Sequence, residues 1–248
     1  MIITLSACFS WGDKEDDTIN WSADRLYAEA RGALDDGSYD NAVNYYQKLE
    51  SRFPFGAHAQ QALIDLAYAH YKNDEPDDAI AAASRFIKLY PQNIHVDYVY
   101  YLKGLTNFNR GKSLKDRLLP KDQAQRDPGA AQQAFDDFNV LVRKFPESEY
   151  RADAEQRMRY LRSNLAQNEV NVATYYMRRG AFVSAVNRAR YVIENFQRTS
   201  SVPDALLILA KAYRVLEMDD LANDAIRVLE SNYPNHPGLN EINKLKVY

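Results

Sequence analysis

Cysteine is nearly absent from this sequence of 248 residues, which contains a single thiol at Cys8. One cysteine excludes an internal disulfide framework and a cysteine-based metal site. Glycine and proline are also scarce, at nine copies each, so we expect short turns and few long loops. No run of 18 apolar residues occurs, and the sequence therefore predicts no membrane-spanning helix.

Sequence signatures of catalysis are missing as well. Neither a glycine-rich phosphate loop nor a G-x-S-x-G elbow occurs. The histidines His58, His70, His95 and His236 are scattered, and none lies three or four residues from another, so they form no helical metal pair. We therefore expect no enzymatic activity, no cofactor and no metal site.

The charge is distributed unevenly along the chain. The net charge of -3 gives no overall attraction to nucleic acid, which we exclude as a partner. Residues 151–198 nevertheless carry +5, from nine arginines, no lysine and four acidic residues, so the rest of the chain carries -8. Arginine pairs with carboxylates in a planar, bidentate geometry. We expect Arg151, Arg157 and Arg162 to pair with acidic neighbours on a solvated helix face.

A repeat is the main feature that the sequence does contain. Five segments end in an aromatic residue, which proline follows in four of them, and these residues are Phe53, Tyr90, Phe145, Phe196 and Tyr233. Each has an alanine eleven residues before it, and these are Ala42, Ala79, Ala134, Ala185 and Ala222. Five residues before the alanines, three of the five positions are glycines, namely Gly37, Gly129 and Gly180. Glycine at these positions predicts the end of one helix and a turn into the next.

Each repeat therefore predicts a helical hairpin that an aromatic residue closes. The residues four and seven positions after the alanine share its helical face, and they include Tyr46 and Leu49, Ala83 and Phe86, Phe138 and Leu141, and Ile226 and Leu229. Two insertions interrupt the spacing. Residues 111–129 form a polar loop, and residues 147–179 read as one long helix or two nearly continuous ones.

This pattern resembles the tetratricopeptide repeat. The resemblance implies an all-α tetratricopeptide-repeat solenoid of about five hairpin units, with ten helices in a right-handed superhelix. Such an array has a concave groove, and the 18 tyrosines suit either that groove or packing between helices.

The single cysteine lies in a motif of its own. The segment Leu5-Ser6-Ala7-Cys8 resembles a bacterial lipobox, in which the cysteine becomes the acylated first residue of the mature protein. Because only four residues precede this box, we expect that the start of a longer signal is missing. Phe9 after the cysteine favours the outer membrane. Residues 1–23 are predicted to be the remnant of this box and a flexible tether, and the alternative is a lone cysteine without a role.

The lipobox and the repeats together resemble the BamD (ComL, YfiO) family, lipoproteins of the machinery that inserts β-barrel proteins into the Gram-negative outer membrane. The resemblance is carried by SRFPFG (51–56), DLAYAHYKND (65–74), DYVYYLKGLTNF (97–108), RDP (126–128) and VATYYMRRGAFVSAVNRA (172–189). It implies an adaptor that is lipid-anchored at Cys8 in the outer membrane and faces the periplasm. The implied partners are the POTRA domains of the barrel subunit BamA, the lipoproteins BamC and BamE, and unfolded outer-membrane proteins.

The same resemblance assigns the binding residues. Arg179 and Arg188 of the C-terminal half, residues 131–248, are expected to contact the barrel subunit. The N-terminal half, residues 24–130, is expected to receive client chains through aromatic and cationic side chains, namely Arg52, Phe53, Phe55, Tyr68, Tyr71, Lys72, Tyr98 and Tyr101. Phe53 has a second interpretation as a helix-closing core residue.

Two other functions fit the repeats. The first is a generic periplasmic scaffold that coordinates cell-envelope or peptidoglycan proteins. The second is a cytoplasmic adaptor of the chaperone type.

Overall fold

The computed structural model describes residues 16–110 and 128–245, with side chains as far as Ile242. Within these ranges the chain forms eleven α-helices and no strand. The helices are α1 Ala23–Asp35, α2 Tyr39–Arg52, α3 Ala59–Lys72, α4 Pro76–Leu89, α5 Val96–Asn109, α6 Pro128–Lys144, α7 Arg151–Arg178, α8 Phe182–Asn195, α9 Val202–Val215, α10 Asp219–Asn232 and α11 Leu239–Leu245. Among them, none combines the length and the apolar character that crossing a membrane requires. Cys8 and most of the predicted polar loop, residues 111–127, lie outside the described residues.

The chain divides into two compact units, residues 1–75 and residues 76–248. The first unit contains α1 to α3, and the second contains α4 to α11. Within each unit, helices that follow one another along the chain pack as neighbours as far as α10, as expected for repeated hairpins, whereas the short α11 packs on α9. The predicted fold class, an all-α tetratricopeptide-repeat protein, is confirmed, and the short α11 extends it beyond the ten expected helices. The functional boundary at residue 130 and the handedness of the superhelix stay predictions.

The repeated alanines lie at the centre of the packing. Each of the five is at most 1% exposed, and the residues four and seven positions further on are buried with them, as the sequence predicts. An alanine side chain is small enough to let the two helices of a hairpin approach closely, while bulky partners such as Tyr46 and Phe138 fill the space beside it.

Four of the turns between the two helices of a repeat use the left-handed backbone conformation. Gly37 and Gly180 have φ angles of 74° and 72°, as predicted for these positions. Asp74 and Glu217 occupy the equivalent positions and adopt φ angles of 60° and 59° although they carry a Cβ. The prediction is wrong for Gly129, which lies in the first turn of α6, because Pro128 begins that helix.

The inserted stretch between the third and fourth repeats forms one continuous helix of 28 residues, α7. The prediction of one long helix is therefore confirmed over the alternative of two nearly continuous ones. Arg151 and Arg157 pair with Glu155 and Asp153 on this helix at 2.9 and 2.5 Å, as expected. The expectation for Arg162 is wrong, because its Nη2 donates to the Asn195 carbonyl oxygen at 3.0 Å. That carbonyl lies at the C-terminal end of α8, so the guanidinium satisfies one of the acceptors that a helix end leaves free.

Candidate functional site

Six of the eight predicted client-binding residues lie in the first unit. Arg52 ends α2, Phe53 caps it, and Phe55 lies in the turn before α3. Phe55 is 96% exposed, which makes it the most exposed large apolar side chain in the described part of the chain. Phe53 is half-buried, and its amide donates to the Leu49 carbonyl oxygen at 2.8 Å, so its position fits the helix-closing interpretation.

The other three residues of this group follow one another at the end of α3. The half-buried rings of Tyr68 and Tyr71 lie 6.3 Å apart, with an interplanar angle of 43°. The exposed Lys72 places its ammonium 5.5 Å from the ring centroid of Tyr39. This end of the first unit therefore offers apolar ring surface beside a cation, a combination that suits an extended aromatic peptide.

Arg52 is occupied by the N-terminal segment. Residues 16–21, here called the strap, run beside α2, and the Arg52 guanidinium pairs with Asp16 while its Nη1 donates to the Thr18 carbonyl oxygen at 2.5 Å. Lys48 Nζ lies 2.6 Å from the same Asp16 carboxylate. Lys48, together with bonds from Thr18, holds the pKa of Asp16 well below its ordinary value. Sequence reasoning assigned the strap to a tether and missed these contacts.

The remaining two client candidates, Tyr98 and Tyr101, belong to the second unit. Both rings pack on Tyr150, with centroids 5.5 and 4.9 Å away. The Tyr101 hydroxyl donates to Asp153 Oδ2 at 2.7 Å and thereby ties α5 to α7. Burial, reinforced by that carboxylate, raises the pKa of Tyr101. These contacts give both tyrosines the packing role that the sequence left open as an alternative.

The predicted barrel-binding arginines lie on the hairpin of α7 and α8. Arg188 is 48% exposed, and its Nη1 contacts Glu169 Oε2 at 3.1 Å. It borders an open groove of about 400 Å³, lined by Tyr176, Ser184, Asn187, Arg188 and Tyr191. A half-exposed guanidinium that is held by one carboxylate can still reach a carboxylate of a partner protein.

Arg179 lies at the C-terminal end of α7, beside the turn into α8. It caps α7, and its guanidinium lies 6.0 Å from the ring of Tyr175, which is 55% exposed. We call the residues Tyr175, Arg179, Arg188 and Tyr191 the docking surface. Exposed aromatic rings beside arginines are the side chains most enriched in the centres of protein interfaces.

Three of the four histidines have side-chain partners among the described residues. His70 is 5% exposed and therefore part of the core, and its Nδ1 lies 2.5 Å from Glu75 Oε2. His58 and His236 contact Asp24 and Asp204 at 2.8 and 3.2 Å.

Fold and surfaces together define a class: a helical-repeat protein with exposed aromatic rings and arginines on its surface. Comparison with known proteins specifies it further. The profile of the YfiO family, described as outer membrane lipoprotein, matches residues 20–229. This chain belongs to that family.

Named relatives agree with this assignment. The outer membrane protein assembly factor BamD of Neisseria meningitidis serogroup B is 46% identical over 242 residues, which cover 96% of this chain and 91% of the relative. The protein of the same name from Vibrio cholerae is 32% identical over 231 residues, 93% of this chain and 96% of the relative. Among solved structures, the MamA protein is a distant likeness, with 17% identity, a TM-score of 0.40, and coverage of 84% of this chain and 90% of that one.

Proposed function

We propose that this protein is an assembly factor for outer-membrane proteins and that it works as a non-enzymatic adaptor. The observation that carries the proposal is similarity along nearly the whole chain to relatives that are named outer membrane protein assembly factors. An adaptor needs exposed, chemically distinct surfaces and no reaction centre. The two surfaces described above, one in each unit, meet that need.

The docking surface is proposed to bind the periplasmic POTRA domains of the barrel subunit BamA. Arg188 supplies the charge, because its guanidinium is half-exposed and already donates to one carboxylate, that of Glu169. Tyr176 and Tyr191, which line the same groove as Arg188, supply apolar area around it. The lipoproteins BamC and BamE are proposed as further partners within the same complex.

The first unit is proposed to receive unfolded client chains. Phe55 and the pair Tyr68 and Tyr71 offer stacking surface to the aromatic side chains of an extended β-strand segment. Binding of this kind needs no chemical step, because the client leaves unchanged for the membrane. The anchor is proposed to be an acylated Cys8, which holds the protein in the outer membrane with its repeats in the periplasm.

Affinity isolation from detergent-extracted membranes tests the docking proposal. Wild-type protein should co-purify the barrel subunit as its largest partner at moderate salt, and Arg188→Ala should reduce that yield severalfold. Arg190→Ala is the matched control, because Arg190 lies on the same helix and pairs only with Glu194, one turn away, among the described contacts.

Two results would contradict the proposal. If both variants retain the barrel subunit as well as wild-type protein does, the docking role of Arg188 is wrong. If the recovered partners are peptidoglycan-linked proteins and the barrel subunit is missing, the periplasmic scaffold is the better description.

A further inference from the structure

Two cations of α2 converge on one carboxylate of the strap. Lys48 and Arg52 are four residues apart, so their side chains leave the same helical face. Lys48 Nζ contacts Asp16 Oδ1 at 2.6 Å, and Arg52 pairs with Asp16 Oδ2. A lysine and an arginine that share one carboxylate form a binding pair for that group, because both hydrogen bonds are charge-assisted.

Arg52 also binds the strap through its backbone. Its Nη1 donates to the carbonyl oxygen of Thr18 at 2.5 Å. The Thr18 hydroxyl and amide donate in turn to Asp16 Oδ1 at 2.6 and 3.1 Å, which folds the strap around the carboxylate. One guanidinium thus holds a carboxylate and a main-chain carbonyl, the two groups that an extended peptide presents at its C-terminus.

The cation pair lies directly before the turn that carries Phe53 and Phe55. Arg52 is the last residue of α2, where the free carbonyl groups of a helix favour positive charge. Phe55, three residues further on, is almost fully exposed. A carboxylate-binding pair next to an exposed aromatic ring fits a peptide that ends in an aromatic residue.

We propose that the strap is an internal plug: Asp16 occupies the position of a client peptide's carboxylate on Lys48 and Arg52, and a client binds by displacing it. This inference rests on the proposed function of the first unit as a client receptor. While the strap is bound, the apparent affinity for a client is lower than the intrinsic affinity, in proportion to the fraction of molecules whose cation pair is free.

The contacts of the strap are suited to exchange. The Asp16 side chain is 35% exposed, so solvent and other anions have access to this carboxylate. The other end of the strap is held by different contacts, because the Trp21 ring packs 5.7 Å from Tyr45 and under the Arg25 guanidinium at 4.1 Å. Displacement of Asp16 therefore would not break the contacts of Trp21.

Peptide binding to the whole chain tests this plug. The probe is a fluorescein-labelled peptide of about ten residues that alternates polar and aromatic residues and ends in phenylalanine with a free carboxylate. The same peptide with a C-terminal amide is its control. Fluorescence anisotropy is measured for wild-type protein, Asp16→Asn and Asp17→Asn. The last variant is the control, because Asp17 is an exposed neighbour whose replacement changes the net charge by the same amount. A urea transition for each variant shows that it is folded.

Asp16→Asn should bind the acid peptide about fivefold more tightly than wild-type protein, because the competing carboxylate is gone. Asp17→Asn should differ less than about twofold, the range expected for a screened surface charge. The combined change Lys48→Gln and Arg52→Gln should abolish the preference for the acid peptide over the amide.

Equal affinities for Asp16→Asn and Asp17→Asn would overturn the plug. So would a failure of every variant to bind the acid peptide, since the cation pair would then receive no external carboxylate. Either failure is distinct from failure of the assembly function, which is scored separately by co-purification of the barrel subunit.

Discussion

Removal of the Asp65 carboxylate should destabilise the first unit more than removal of any one of the side chains that donate hydrogen bonds to it. Asp65 is 5% exposed on α3, and its Oδ2 accepts from the hydroxyls of Tyr27 and Tyr46, both at 3.2 Å. Its Oδ1 accepts from Gln61 Nε2 at 2.8 Å, and Arg31 Nη1 lies 3.8 Å from Oδ2. One carboxylate therefore joins α1, α2 and α3.

The magnitude follows from what each change leaves unpaired. Asp65→Ala strands the Tyr46 hydroxyl in a site that is 0% exposed, and an unsatisfied buried hydroxyl costs about 1–3 kcal/mol. It also removes hydrogen bonds to a charged acceptor from Tyr27 and Gln61, so we expect a total loss of about 3 kcal/mol. Tyr46→Phe removes one bond and leaves the carboxylate with its other partners, which predicts a loss of about 1 kcal/mol.

Urea unfolding followed by tryptophan fluorescence measures this difference selectively. Trp21 packs against Tyr45 in the first unit, and residues 76–248 contain no tryptophan, so the signal does not come from the second unit. Asp36→Ala is the control, because this exposed carboxylate at the end of α1 should change stability by less than about 0.5 kcal/mol. An Asp65→Ala loss no larger than that of Tyr46→Phe would refute the idea that the carboxylate organises the unit.

Three further predictions concern the backbone, pH and client binding. Gly180→Ala should destabilise the protein by about 1 kcal/mol, because φ is 72° at this position; the added methyl meets no atom within 4 Å, so the backbone conformation alone is tested. Gly32→Ala inside α1 should instead stabilise the protein by about 0.5–1 kcal/mol. Thermal melts in which both variants shift the melting temperature in the same direction would contradict this. Burial and neighbouring carboxylates raise the pKa of Tyr150 from 10.0 to about 12. The contribution of this shift to stability should therefore be complete below pH 10 and lost as the pH rises through 12. The ionisation of Tyr150 is measured as the difference between alkaline titrations of wild-type protein and Tyr150→Phe, and a midpoint near 10 would show the reasoning to be wrong. Replacement of Tyr68 and Tyr71 by alanine should weaken crosslinking of client peptides while the helical content stays the same, and unchanged crosslinking would remove both residues from the client surface.

The helical hairpins could be predicted because small residues must recur wherever two helices touch. The alanines, their partners one and two turns later and the closing aromatics all follow from helix geometry, and the buried residues match them. The left-handed turns at Asp74 and Glu217 carried a weaker signal. Aspartate adopts this conformation more often than most non-glycine residues and glutamate does not, so the alignment with Gly37 and Gly180 was the main indication.

The contacts that shape the candidate surfaces could not be predicted in the same way. Asp16 meets Lys48 and Arg52 across 32 and 36 residues of chain, and no periodic pattern joins them. Arg162 binds a carbonyl at the end of α8, an acceptor that every residue type offers and that the sequence therefore cannot reveal. The partners of Asp65 could have been anticipated, because this residue lies on the buried face of α3 between Leu63 and Leu66, where a lone carboxylate requires hydrogen bonds.

Depletion of the protein from cells, followed by complementation, tests the assembly role most directly. The measured quantity is the amount of folded β-barrel protein in the outer membrane, scored by its heat-modifiable migration. Depletion should lower that amount, and Arg190→Ala should restore it fully while Arg188→Ala restores it only in part. Unchanged levels of folded β-barrel protein after depletion would contradict the account.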